Sequence, residues 1–222
     1  VELGMGVSSS ALRLIKDRER ISLINPENGE DHTEAMAKYA EEKSDELVAC
    51  GISGFVFSKD SPVFGLERVK VYRGDNPKAV QDGSGLFAKV FTTLYPHIPV
   101  IEEGKLTDPS QVEHFLSRVQ FFHEWHKIGD TGWTELKLKN FHRENENFLR
   151  SRAPLSKKPI SAIMSELSKG EQHPENLAFY YMTEAQKYLS TLTKSSISIQ
   201  PLKRTAERLP QVTNLTKKSQ VM

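Results

Sequence analysis

This sequence has almost no cysteine: Cys50 is the only one in 222 residues. A lone thiol cannot close an internal disulfide, and by itself it cannot hold an iron–sulfur cluster that takes about four thiolates. The lack of disulfides favours a reducing compartment, the cytoplasm. Cys50 closes an expected helix beside an expected buried strand, so its small apolar thiol reads as core packing rather than as a nucleophile. Long apolar runs are missing too. None approaches ~18 consecutive residues, which excludes a helical membrane span, and Val1 opens a polar, glycine-containing segment rather than a charged and apolar leader. Net charge is nearly absent, at +1, but it is unevenly spread. Lys203, Arg204, Arg208, Lys217 and Lys218, set against Glu207, leave residues 197–222 at +4 and the first 196 residues at −3. Such a tail reads as solvated and disordered, and its charge suits a polyanion such as nucleic acid. No internal repeat is visible.

What is present is organised around residues 50–74. Two β-rich runs, Ile52–Phe57 and Arg68–Tyr72, flank a loop built on Ser61-Pro62-Val63-Phe64-Gly65. The first run is apolar apart from Ser53 and Gly54, as for a strand covered on both faces. The second alternates Val69 and Val71 with Lys70 and Tyr72, as for a strand nearer an edge. A Ser-Pro turn just past a buried strand is where an open α/β sheet places a ligand.

Ala11–Ile15 and Ile21–Ile24 are further strand candidates, preceded by Gly4-Met5-Gly6, whose glycines let backbone N–H groups approach an anion or ligand. A helix is expected from Asp31 to about Cys50, with Asp31 and Glu34 complementing its dipole. Helix followed by strand suggests a βαβ unit, hence a parallel sheet. Arg73-Gly74-Asp75-Asn76-Pro77 turns the chain. Gly83-Ser84-Gly85 then leads into a helix, Leu86–Tyr95, whose amino terminus the glycines could leave open to an anion, and Ile98–Ile101 is a strand candidate.

Thr107-Asp108-Pro109 starts a strong helix. Val112, Phe115, Leu116, Val119, Phe122 and Trp125 form its apolar stripe, with His114, His123, His126 and Lys127 on a polar edge. Helices are expected over 133–152, 159–168 and from Pro174 to about Ser195, and Ser196–Gln200 alternates like a strand. His123 and His126, three apart on one face, with His142 in the next helix, are the metal-ligating candidates; zinc would need three or four such ligands converging. Hydrogen-bonded histidines joining two segments are the competing reading, and it is the one taken, with no metal expected. Arg150, Arg152, Lys157 and Lys158 form a modest basic cluster, explained by solvated helix ends or, together with the tail, by nucleic acid.

Ile52-Ser-Gly-Phe-Val-Phe-Ser-Lys-Asp-Ser-Pro-Val-Phe-Gly-Leu-Glu-Arg-Val-Lys-Val-Tyr72 resembles the signature of the bacterial thiouracil-desulfidase family, including the first domain of YbgA-like proteins. Gly83, Gly85, Leu86, Phe87, Tyr95, Pro96, Pro99 and Val100 match a second stretch of that family. Phe122-His123-Glu124-Trp125-His126-Lys127 resembles the opening of the YbgA-like second domain. In the family the loop reads Ser-Pro-Ser-Cys-Gly, and its cysteine is one of three that hold a four-iron, four-sulfur cluster. Phe64 occupies that position here. The other two family cysteines, one in a Cys-Pro-Glu ahead of the counterpart of Glu2-Leu3-Gly4-Met5-Gly6-Val7, fall outside this sequence.

The resemblance implies a doubly wound, mostly parallel α/β domain over 1–106, a helical extension over 107–196 and a basic tail over 197–222. It carries over the fold but not the desulfidase activity, and no cofactor is expected. Ser61, Pro62, Phe64 and Gly65, with Gly4, Met5, Gly6, Gly83 and Gly85, are the substrate-binding candidates. Two readings follow: a cluster-less or truncated relative that binds a small thiolated or pyrimidine-like ring at the Ser61 loop, and a regulatory or scaffolding protein that binds nucleic acid or a partner protein through the extension and tail. The sequence leaves the oligomeric state open.

Overall fold

Residues 12–73, 76–153 and 156–191 are described by a computed structural model. Strands β1 (Arg13–Asp17) and β2 (Arg20–Ile24) form an antiparallel hairpin in which Asp17 faces Arg20, and Arg18 takes the left-handed turn position. Helix α1 (Thr33–Ala49) is tied to β2 at its start, because Thr33 Oγ1 accepts the Leu23 N–H at 2.8 Å. Asp31 precedes the helix rather than opening it, and its carboxylate accepts the Thr33 N–H. Met36, Ala40 and Ser44, four residues apart, make the buried stripe of α1.

The sheet departs from a doubly wound parallel one. Strands β4 (Val69–Arg73) and β5 (Asn76–Gly83) complete a mixed four-stranded sheet in the order β2-β1-β4-β5, whose single parallel pair is β1–β4. A separate parallel pair joins β3 (Phe55–Phe57) to β6 (Val100–Glu102). The α/β class holds; the helix α1 links strands of two different sheets, so the expected βαβ unit is not closed within one. β4 lies inside its sheet and not towards an edge. β3 is half the expected length, and Val56 is 45% exposed, so it is not covered on both faces. Residues 76–83, expected as part of a turn and loop, pair with β4 instead.

Helix α2 (Leu86–Leu94) buries Phe87, Ala88 and Phe91 against Phe55 and Phe57 of β3, with ring centroids 4.7–6.4 Å apart. A 3-10 turn (Glu103–Thr107) then leads into α3 (Pro109–Gly129), where Asp108 caps by accepting the Ser110 N–H at 2.9 Å and Pro109 takes the first position. The buried face of α3 is His114, Phe115, Ser117, Arg118, Phe121 and Phe122. His114 is therefore inside, not on a polar edge. Helices α4 (Glu135–Arg152), α5 (Lys157–Lys169) and α6 (Pro174–Leu189) complete the chain as described. The expected strand at 196–200 and the tail lie outside the described residues, as do Gly4, Met5 and Gly6.

The strand-bearing half and the helices meet along α3. Arg118 donates to the Val100 carbonyl of β6 at 3.3 Å and to Gln186 Oε1 of α6 at 3.1 Å. His123 Nδ1 lies 3.1 Å from Ser53 Oγ, and His97 packs among Phe122, Trp125 and Phe179.

Candidate ligand site at the Ser61 loop

The loop leaves the carboxyl end of β3, and Phe57 stands beside Glu102 at the carboxyl end of β6. Two adjacent carboxylates pin it. Glu103 Oε1 accepts the Lys59 N–H at 2.9 Å, and Glu102 Oε1 accepts the Leu66 N–H at 3.3 Å. Glu102 is 4% exposed. Sequence reasoning passed over this pair; the available signal was two acids directly after an apolar β run, where open α/β sheets gather functional groups.

Inside the loop, Ser61 folds back on itself. Its Oγ accepts the Phe64 N–H at 3.1 Å and the Val63 N–H at 3.3 Å, and its carbonyl accepts the Gly65 N–H at 2.8 Å. With both lone pairs engaged, the hydroxyl retains a proton to donate. Pro62 and Phe64 are half-buried, Val63 is buried, and the Phe64 ring lies 5.1 Å from Phe87 at the rim of the aromatic cluster.

The loop also settles the role of the helix start at Gly83-Ser84-Gly85. The Leu86 N–H donates to the Pro62 carbonyl at 3.1 Å, the Phe87 N–H to Val63 at 2.9 Å, and the Gly85 N–H to Gly65 at 2.7 Å. These bonds satisfy donors that an α-helix leaves orphaned. The amino terminus of α2 is thus filled by loop carbonyls and is not open to an anion. Gly85 is glycine for room: a Cβ there would lie 2.8 Å from Gly65 N and closer still to the Val63 carbonyl. Gly65 is equally tight, with Ser61 O 2.6 Å from the Cβ position. Gly83 ends β5, opposite Val69.

The three histidines do not come together. His123 meets Ser53, His126 lies 3.5 Å from Asp130, and His142 Nδ1 lies 3.1 Å from the Tyr181 hydroxyl. Among the described residues no group of three or more His, Cys, Asp or Glu is placed to hold a metal ion. Cys50, expected in the core, is exposed at the carboxyl cap of α1, because the helix ends there and the chain leaves through Gly51. The basic cluster is likewise not one surface. Arg152 is buried and bonds Glu113 at 3.0 Å, while Arg150 bonds Glu146 at 2.7 Å. A cavity of about 400 Å³ lies between α4 and α5, away from the loop, lined by Leu149, Ala153 and Ile160 with His142, Glu146 and Ser161. No helix of the described residues is long and apolar enough to cross a membrane.

Comparison with curated proteins and with solved structures found no match. A family model, that of 2-thiouracil desulfurase, matches residues 1–103, which run from the amino terminus past β6 and include the whole Ser61 loop. Over this stretch the chain is similar to the 2-thiouracil desulfurase family.

Proposed function

We propose that this chain is a relative of the desulfurases that binds a small thiolated or pyrimidine-like ring at the Ser61 loop and does not remove sulfur from it. The observation that carries this reading is Phe64. It stands at the position of a family cluster cysteine and offers the loop an aromatic face in place of a thiolate. A benzyl group cannot bind iron, but it can stack on a flat heterocycle. Among the described residues the side-chain donors bonded within the loop are oxygens, from Ser61, Glu102 and Glu103, whereas iron–sulfur clusters are held by thiolates. These residues do not fit the cluster that the family implies. What the loop offers instead is a stacking ring and one hydroxyl donor, enough to orient a carbonyl or thiocarbonyl.

Titrating 2-thiouracil and uracil against the protein, by calorimetry or ligand-observed NMR, tests this. Binding is expected to weaken about tenfold in Ser61→Ala, which removes one donor, and further in Phe64→Ala. Equal affinity across wild type and both variants would sink the reading.

A second expectation concerns the loop's metal chemistry. After anaerobic incubation with iron and sulfide, both the wild-type protein and Phe64→Cys should remain without bound iron or visible charge-transfer absorbance. Phe64→Cys should lose about 2 kcal/mol of stability, from the ring packing on Phe87. A stoichiometric cluster in either protein would refute the cluster-less reading. Unchanged stability would show that the ring contributes nothing to packing.

A further inference from the structure

Helix α6 is held in place by three imidazoles that come from three different elements. His97, between α2 and β6, packs its ring 5.1 Å from Phe179. His114 of α3 bonds through Nε2 to the Leu189 carbonyl at the end of α6. His142 of α4 bonds through Nδ1 to the Tyr181 hydroxyl. They contact the first half, the carboxyl end and the middle of the helix respectively. We propose that α6 is a pH-operated latch, docked while these three imidazoles are neutral and released from the rest of the fold when they take up protons.

The buried surroundings favour the neutral forms. In neutral His114 the proton sits on Nε2 and is donated to Leu189 O, a bond that the charged ring would keep, and Nδ1 is bare. That atom is buried and has no partner among the described residues. A proton there would create a buried donor with no acceptor, in a ring already facing Arg118 on α3 and Arg152 on α4, with Glu113 as the one nearby acid. His97 Nδ1 is also buried without a partner among the described residues. Around it stand Tyr95, the α3 rings Phe122, Trp125 and His126, and Phe179; its titratable neighbour of consequence, His126, is a second base. With Nδ1 bare, His142 can accept from the Tyr181 hydroxyl; a proton on Nδ1 would reverse that bond and oblige the buried hydroxyl to turn its own proton elsewhere, while Glu146 on the same helix favours the charged form.

Burial holds all three below the ordinary histidine value, His97 down to about 4 from 6.5. Released, the rings would titrate near about 6.5. The sign follows: docking is strongest above that value and weakens as pH falls towards 4, with His97 alone shifting the balance on the order of tenfold at about pH 5. Release would uncover the buried face of α6, which includes Leu177, Ala178, Tyr181 and Met182.

Hydrogen exchange read by mass spectrometry, on the full chain at about pH 7 and about pH 5 and corrected for intrinsic rates, tests the latch. Peptides from α6 are expected to lose protection about tenfold at the lower pH while those from β1, β4 and α2 keep theirs. The triple variant His97→Phe, His114→Gln, His142→Gln should hold α6 protected at both. Should the triple variant fail to fold, His114→Gln alone, which preserves the Leu189 bond, should reduce the pH response. Unchanged α6 protection at about pH 5, loss of protection in both halves at once, or a pH response undiminished in the variants would each overturn the proposal.

Discussion

Gly85→Ala is expected to unseat the Ser61 loop and to cost about 3 kcal/mol, because there is no room for one methyl group. The backbone at Gly85 has φ −61° and ψ 150°, a conformation that any residue adopts, so the penalty is not conformational. It is steric. The added Cβ would press on the Val63 carbonyl, the same group that accepts the Phe87 and Ala88 N–H bonds. Relief requires the loop to move away from α2, and moving it breaks the Leu86 and Gly85 bonds as well. Gly51→Ala is the contrasting control: φ is +74° there, and the Cβ position has nothing within 4 Å. That change should cost only about 1 kcal/mol of left-handed strain. Urea unfolding of both variants measures the difference, and ring binding should fall with Gly85→Ala but not with Gly51→Ala. Equal, small losses would mean that the loop and helix are less tightly joined than their hydrogen bonds indicate.

The contrast between these two glycines also marks what could be read from the sequence. Signals confined to a few neighbouring residues were legible. Asp108-Pro109 and Pro174 start helices where expected, since a cap and a fixed φ are local properties. The Ser61 loop was legible as a turn because Ser61 bonds its own neighbours. What the sequence withheld depends on partners far along the chain. Strand β5 carries Lys78, Gln81 and Asp82 and has little apolar alternation; it is a strand because β4 pairs with it. The mixed sheet arises because β1 lies between β2 and β4, a choice of neighbours that periodicity cannot encode. The filled amino terminus of α2 depends on carbonyls 20 to 25 residues earlier. His114 and Leu189 are 75 residues apart, and nothing near His114 in the sequence marks it as facing inward. Cys50 departs from its expected place by a smaller margin. It sits one residue beyond the last helical turn, where the buried stripe has already ended.

Gln186→Leu is expected to destabilise the protein by about 3 kcal/mol, more than Arg118→Met does, although both remove the same hydrogen bond. Arg118 is 7% exposed and has no carboxylate partner among the described residues. Burial lowers its pKa to about 10, so it remains charged at neutral pH. Its charge is balanced only by dipoles: Gln186 Oε1 on Nε and the Val100 carbonyl on one terminal nitrogen. Taking Gln186 away leaves a buried cation with half of that support. Taking Arg118 away removes the charge itself. The Gln186 amide then keeps its bond to the main-chain carbonyl of residue 118, at 3.3 Å, and loses only a donor to its oxygen. That asymmetry predicts a cost of about 1 kcal/mol for Arg118→Met and a double variant, Arg118→Met with Gln186→Leu, more stable than Gln186→Leu alone. The reason is general: a buried charge is expensive to orphan and cheap to replace with an apolar side chain of similar length. The consequence is specific to this fold, because these bonds join β6, α3 and α6. Urea unfolding of the three variants closes the cycle. Additive losses would show that Arg118 and Gln186 act independently, and that the joint between the strands and the helices is made by packing alone.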